Sequence, residues 1–353
     1  MATPADRRPI EGVLSQRDLR LALLARQSLL ARSDASEVSL PALLTQVGGL
    51  QTQYTPSGYV GLWSRSEGFQ RKDLTEALEA RTVIQATLMR STIHLVAADD
   101  YWLYAMGVRR ARREWWARIH KDIPVAQAER RADELRTALQ DGPRSVAELG
   151  DLASGFVGDL GLWVDLVRVP PSGTWDRRRA NLLGVAETWV GPNDATEEDG
   201  LEHLVRAYLR GFGPASYADI STWAGVPVAP LRAAGARLDL RRWDDEGGRA
   251  LVDIPDGILP PRDTPTPVRF LPHWDANLLV HARRTGVLPE AYRPRVFGVK
   301  MPFSVGTALV GGQVAASWSL KDGRIVVEPF APLTPSAAGD VRQEAERLEA
   351  FHA

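Results

Sequence analysis

Short helix signals followed by a strand-like run recur three times before residue 260, and this recurrence restricts the fold more than any other feature. Ser15 and Asp18 stand at capping-box spacing, and Leu19, Leu23, Arg26 and Leu30 follow at helical spacing, so a helix is expected over 15–32. Ser39 caps a second helix through Val47, a third runs from Thr55 to about Ser66, and a fourth covers about Lys72 to Ala80. The run from Val83 to Val96 then has strand composition, with β-branched and apolar residues near a period of two. Short helices closed by a hairpin are the order of a winged helix, a relative of helix-turn-helix.

The order returns twice. Asp99 opens a helix reaching about His120, another covers 127–140, and Ser145 caps a third before the strand-like Leu166 to Val169 and the turn Pro170 to Gly173. Residues 193–199 are acidic and polar, as in a linker. Gly200 to Arg210 is helical, and Gly213 to Ser216 caps a helix carrying Tyr217, Asp219, Ile220 and Trp223. Gly225 to Pro230 interrupts it, a second short helix begins near Pro230, and strands follow around 238–243 and 249–254. That is the clearest helix-turn-helix spacing in the chain. Beyond Pro260, proline-rich turns separate short apolar strands at 268–271, 278–280, 296–300, 306–310, 313–318 and 324–328, with Gly311-Gly312 as a two-residue hairpin turn. A small barrel or sandwich is expected there. The tail 336–352 reads as a helix with Val341, Ala345 and Leu348 on one face. The fold expected is α+β, with winged-helix units at 12–98, 99–196 and 197–259 and a β module with its terminal helix at 260–353.

Composition narrows the chemistry. The 353-residue chain has no cysteine, which excludes disulfides, thiolate-bound zinc and a cysteine nucleophile. No signal pattern or long apolar run is present, so a cytoplasmic protein without a membrane span is expected. The net charge of −1 gives no global basic field, which leaves local charge to decide on nucleic acid. Lysine occurs only at Lys72, Lys121, Lys300 and Lys321, so arginine carries nearly all the positive charge. That pattern fits the coding bias of a GC-rich genome; arginine is also the better phosphate and guanine ligand.

The connection between the second and third helices holds the most specific candidate. Gly48-Gly49 stops one helix and Thr55-Pro56 starts the next, with Thr55 expected as the cap. Gln51 and Gln53 lie between them, with Thr52 turned away if the backbone is extended. A glutamine amide does not titrate, but it orients water and offers partial negative charge. That suits a reaction with a good leaving group and a cationic transition state. Read alone, the pair is more simply taken as ordinary polar loop residues satisfying local backbone groups.

Other residues invite a DNA-binding reading beside a plainer one. Arg90, Thr92 and His94 alternate on an expected wing strand, as a polar stripe for phosphate or as a solvated face. Arg109, Arg110, Arg112, Arg113 and Arg118 against Glu114, interleaved with Trp102, Trp115 and Trp116, make a basic aromatic helix for a phosphate backbone or a core-packed tryptophan face. Arg65 ends the third helix and is taken as a further contact. His281, Arg283 and Arg284 suit a hairpin tip entering a groove, or a solvent loop. Asp219, Trp223, Asp275 and Asn277 read as structural. His273, Asp275 and His281 lack ligand spacing, so neither metal nor cofactor is expected.

Leu50-Gln51-Thr52-Gln53, Met89 through Leu95, Phe212 through Trp223, and Phe270 through Arg284 stand in the order found in one family. The chain resembles the winged-helix DNA-binding proteins that include the AlkZ-type bacterial DNA glycosylases, over about residues 12–330. The resemblance implies three tandem winged helices forming a concave DNA-binding scaffold closed by a C-terminal β-barrel. It also implies excision of N7-alkylated purines, in some members from interstrand crosslinks, in DNA repair or in self-resistance of toxin producers. The family's catalytic motif is Gln-x-Gln, which Gln51 and Gln53 match; its middle residue is often aliphatic, whereas here it is Thr52. The implied enzyme is a monofunctional glycosylase using water and no cofactor. Its partner is double-stranded DNA carrying alkylated purines, and a nucleoid-associated monomer is expected. The alternatives are a non-catalytic winged-helix regulator and a protein that sequesters the toxin itself.

Overall fold

The structure is a computed structural model and describes residues 9–153, 161–279, 286–297 and 304–353. Most of the expected helices form where their caps stand. Gln16–Arg26 is opened by the Ser15/Asp18 capping box, Leu40–Val47 by Ser39, and Tyr217–Ala224 by the Ser216/Asp219 box. In each capping box the hydroxyl and the carboxylate satisfy backbone N–H groups that the first helical turn leaves over. The expected linker 193–199 is partly helical, because Thr196 and Asp199 form another capping box that starts Glu197–Phe212.

One six-stranded antiparallel sheet takes strands from both of the first two expected units. Its order is Leu50–Gln51, Ile93–Ala97, Val83–Thr87, Leu166–Arg168, Leu182–Val185, Arg144–Ser145. Gln85 opposite Arg168 and Ala86 opposite Val167 make the join. A second sheet ties the chain's beginning to the third unit: Val13–Leu14 runs parallel to Arg241–Asp245, which pairs with Ala250–Asp253. Arg26 clamps the same two regions by donating to Asp253 Oδ1 at 2.6 Å and Oδ2 at 2.8 Å.

The long helices Ala98–Ile119 and Glu197–Phe212 cross at Gly107 and Gly200, where a Cβ on Gly107 would lie 2.6 Å from the Gly200 carbonyl oxygen. Glycine at both positions lets the backbones touch. Around the crossing, Tyr104, Tyr208, Phe212 and Trp223 form the centre of the main core. A second core packs Tyr59, Trp63, Trp175, Phe270 and Trp318 against Leu348 of the terminal helix Pro335–His352.

The C-terminal module differs from expectation. Arg269–Leu271, Gly306–Val310, Gln313–Lys321 and Arg324–Pro329 form an open four-stranded antiparallel sheet; no closed barrel is found among the described residues. The expected strand at 278–280 is instead the short helix Ala276–Leu279, begun by Asp275, whose carboxylate accepts from the Asn277 N–H at 3.0 Å. The region expected as strand 296–300 begins inside the helix Arg293–Val296, and residues 298–300 lie outside the described residues. Among the described residues no helix is long and apolar enough to cross a membrane.

Candidate active site and DNA-facing residues

Gly48 and Gly49 both adopt positive φ, 79° and 77°, which ends the helix and turns the chain back along the sheet. Leu50 and Gln51 pair with Leu95 and His94 at the sheet edge. Beyond the paired strand, the Thr52 N–H donates to the Ile93 carbonyl at 2.8 Å. The Ile93 N–H then donates to the side-chain oxygen Oε1 of Gln53 at 3.1 Å. An amide side chain thus extends the ladder where the backbone leaves it. Tyr54, not Thr55, is the cap of the next helix; Thr55 is its first residue, and its hydroxyl donates to the Arg178 carbonyl at 3.4 Å.

The two glutamines are not equivalent. Gln53 is exposed and Gln51 is 7% exposed. Gln51 Oε1 accepts from Arg90 Nη2 at 2.5 Å, and Arg90 Nη1 donates to the Trp223 carbonyl at 2.5 Å. Burial, with no carboxylate partner among the described residues, pushes the Arg90 guanidinium down to about 10. A carbonyl oxygen has two lone pairs, so each glutamine retains one acceptor position beyond the bond that fixes it. Thr52, between them, is buried, with its side chain against Gly58.

Arg90, Thr92 and His94 do not form the expected stripe on one strand. Met89–Ser91 is a tight 3-10 turn in which Arg90 and Ser91 take φ of 53° and 58°, and the strand starts only at Ile93. The Thr92 hydroxyl donates to the Met89 carbonyl at 3.0 Å. His94 is buried, and burial followed by the nearby Arg90 charge lowers its imidazole to about 3. Its Nδ1 lies 2.9 Å from the Thr92 carbonyl, which only accepts, so the proton sits on Nδ1 of a neutral ring. A phosphate therefore finds no charge at His94.

Arg65 is likewise corrected to a structural role. It is 0% exposed and donates to Asp275 at 3.0 Å, to Gln27 Oε1 at 3.0 Å and to the Gly61 carbonyl at 3.0 Å. Arg109 is ion-paired with Asp165 at 2.7 Å, and Arg113 donates to the Leu162 carbonyl at 2.7 Å while lying over Trp163. His281, Arg283 and Arg284 lie outside the described residues. Asp219 and Trp223 are buried, as their structural reading requires.

Two groups escaped sequence reasoning. Gln27 is fully buried and bridges the Val47 and Gly211 carbonyls, each at 2.9 Å. Arg177, Arg178 and Arg179 are exposed on the loop after Trp175, and the Arg178 carbonyl meets Thr55 two residues from Gln53. Three consecutive arginines are visible in the sequence; their position beside the motif is not.

A family model described as "DNA glycosylase AlkZ-like" matches residues 44–351, a span that includes Gln51, Gln53 and Arg90. The chain belongs to this AlkZ-like family, and it is a DNA glycosylase. Among solved structures it is similar to the Streptomyces sahachiroi DNA glycosylase AlkZ, with a TM-score of 0.81 and 18% identity over 97% of this chain and 98% of that one. At that identity the likeness is one of fold. No curated protein sequence matches the chain significantly.

Proposed function

We propose that this glycosylase hydrolyses the N-glycosidic bond of N7-alkylated purines in duplex DNA, including bulky adducts and crosslinked bases, with Gln53 positioning the water. The observation that carries this reading is the exposed Gln53 amide, whose oxygen is fixed by the Ile93 N–H at 3.1 Å. Its remaining lone pair accepts a hydrogen bond from water and aims the water oxygen at C1′ of the sugar. The C1′–N9 bond breaks, and its electron pair neutralises the positive ring created by N7-alkylation. The base leaves neutral and needs no general acid. Water oxygen bonds to the cationic C1′, and its surplus proton passes to solvent.

Gln51 acts differently in this scheme. Its oxygen is held by Arg90, so it sets the wall of the site and offers a second dipole to the developing sugar cation. General acid–base catalysis ordinarily supplies roughly 10²–10⁴-fold, and a site built on amides forgoes much of it. Only bases already activated by alkylation then react, which spares normal guanine. The exposed Arg177 to Arg179 loop beside Thr55 is suited to the phosphates flanking the lesion. On the same reading, residues 12–98, 99–196 and 197–259 serve as three winged-helix units.

The test is base release from a duplex carrying a single N7-methylguanine, read as strand cleavage after alkali, beside the unmodified duplex. Cleavage of the alkylated strand alone is expected. Equal cleavage of both duplexes would show that leaving-group activation does not set the substrate.

A further inference from the structure

A groove of about 710 Å³, with Arg90 in its lining, lies between the Ala98–Ile119 helix and the turn after Tyr217–Ala224. Arg90, Ser91, Arg112, Trp115, Arg118 and Thr222 line it. Its volume lies in the range of small-molecule sites. Three features give its chemistry.

The first is a buried guanidinium with an unpartnered donor. Arg112 is 8% exposed, and among the described residues it donates to neutral acceptors, the Ser91 hydroxyl at 3.3 Å and the Thr87 carbonyl at 2.9 Å. Its Nη2 has no partner among the described residues. Burial lowers this guanidinium to about 10, although the Asp165 carboxylate, itself ion-paired with Arg109, pulls the other way. The second is an exposed aromatic face: Trp115 is 44% exposed at the groove's edge, although it belongs to a helix whose neighbouring Trp116 is fully buried. The third is the charge balance. Glu114 alone of the lining residues is acidic, and Arg110 holds its carboxylate at 2.9 Å. Arg118 is exposed and makes no ion pair among the described residues.

Guanidinium groups beside a free indole are the chemistry of single-strand nucleic acid recognition, phosphate on cation and base on ring. We propose that this groove seats one unstacked nucleotide of the bound DNA, with its phosphate toward Arg112 and Arg118 and its base on Trp115. The inference rests on the reading that the DNA runs across Gln53. Arg90 is shared: it lines the groove and donates to the Gln51 oxygen. A seated nucleotide would therefore keep the neighbouring strand open beside the motif.

The test compares binding of the full chain to a matched duplex and to the same duplex with a single-nucleotide bulge, both unmodified, at several salt concentrations. Wild type is expected to prefer the bulged duplex by about tenfold, the size of one base–aromatic stack. Trp115→Ala should erase that preference and leave matched-duplex affinity unchanged. Arg118→Ala should lower the salt slope by about 1 for the bulged duplex. Equal wild-type affinity for the two duplexes overturns the proposal without any variant, and so does a preference that survives Trp115→Ala. Because neither DNA is alkylated, the result is independent of whether N7-methylguanine is excised.

Discussion

The Arg90 guanidinium donates to Gln51 Oε1 at 2.5 Å from a left-handed turn, φ 53°, that holds the arginine side chain under the motif. On the proposed reading Arg90 acts as a positioning residue, both of its bonds being spent on Gln51 and the Trp223 carbonyl. Its second bond, to the Trp223 carbonyl, anchors the turn to the Tyr217–Ala224 helix. Arg90→Ala is expected to lower the single-turnover excision rate by roughly 10²-fold, the cost of a small misplacement. Duplex affinity should hold within a few fold. A variant that loses affinity and keeps its rate would return Arg90 to phosphate binding.

Thr52 stands between the two glutamines, and its side chain lies against Gly58. A methyl group on Gly58 would lie 2.7 Å from Leu95 Cδ1 and 2.9 Å from Thr52 Oγ1. Gly58→Ala is expected to destabilise by about 1–3 kcal/mol through overpacking and to slow excision by moving the loop between the glutamines. Thr52→Val keeps the shape and should retain activity. Chemical denaturation and single-turnover rates on both variants check this.

Arg65 and Asp275 are fully buried partners 3.0 Å apart. Removing one leaves an unpaired interior charge, so Arg65→Ala is expected to cost about 3–5 kcal/mol. The DNA affinity of the remaining folded protein should not change. Replacing both by apolar residues, Arg65→Met with Asp275→Leu, should cost less than the single substitution. A stable Arg65→Ala protein with weakened DNA binding would contradict the structural role.

The buried histidines contribute to the acid limb of stability. Burial lowers His94 to about 3 and His203 to about 4, against about 6.5 in an unfolded chain. Below that value the unfolded chain takes up protons that the folded one refuses. Their share of the stability is therefore fully present above about pH 6.5 and is lost as pH drops toward 4 and below. His94→Gln should flatten part of the fall between pH 6.5 and 5 in thermal melts. Excision should be level from pH 6.5 to 8.5, because neither amide titrates and His94 is neutral throughout. A bell-shaped rate profile in that window would demand an acid or base that the amide mechanism lacks.

Local signals in the chain were legible where their partners are close in sequence. Ser15 with Asp18, Gly48 with Gly49 and the Gly311-Gly312 hairpin specify their turns within four residues, and the structure forms all three. Gln51 and Gln53 were legible as a constrained loop for the same reason. Distant partners decided the rest. Arg65 looks like any helix-end arginine until Asp275, 210 positions away, closes over it. The apolar run at 278–280 is too short for periodicity to separate strand from helix, and the Asp275 cap decides it. The stripe expected of Arg90, Thr92 and His94 failed because two consecutive left-handed residues break the strand, a strain that nothing in the side chains announces.

The most direct measurement is single-turnover release of N7-methylguanine from duplex DNA by wild type and Gln53→Ala, with duplex affinity and thermal stability recorded for both. Gln53 is exposed, so its truncation should leave stability within about 0.5 kcal/mol. The account predicts release by wild type, loss of release in Gln53→Ala, and nearly equal DNA affinity. Undiminished release by Gln53→Ala would remove Gln53 from the chemistry and contradict the account at its centre.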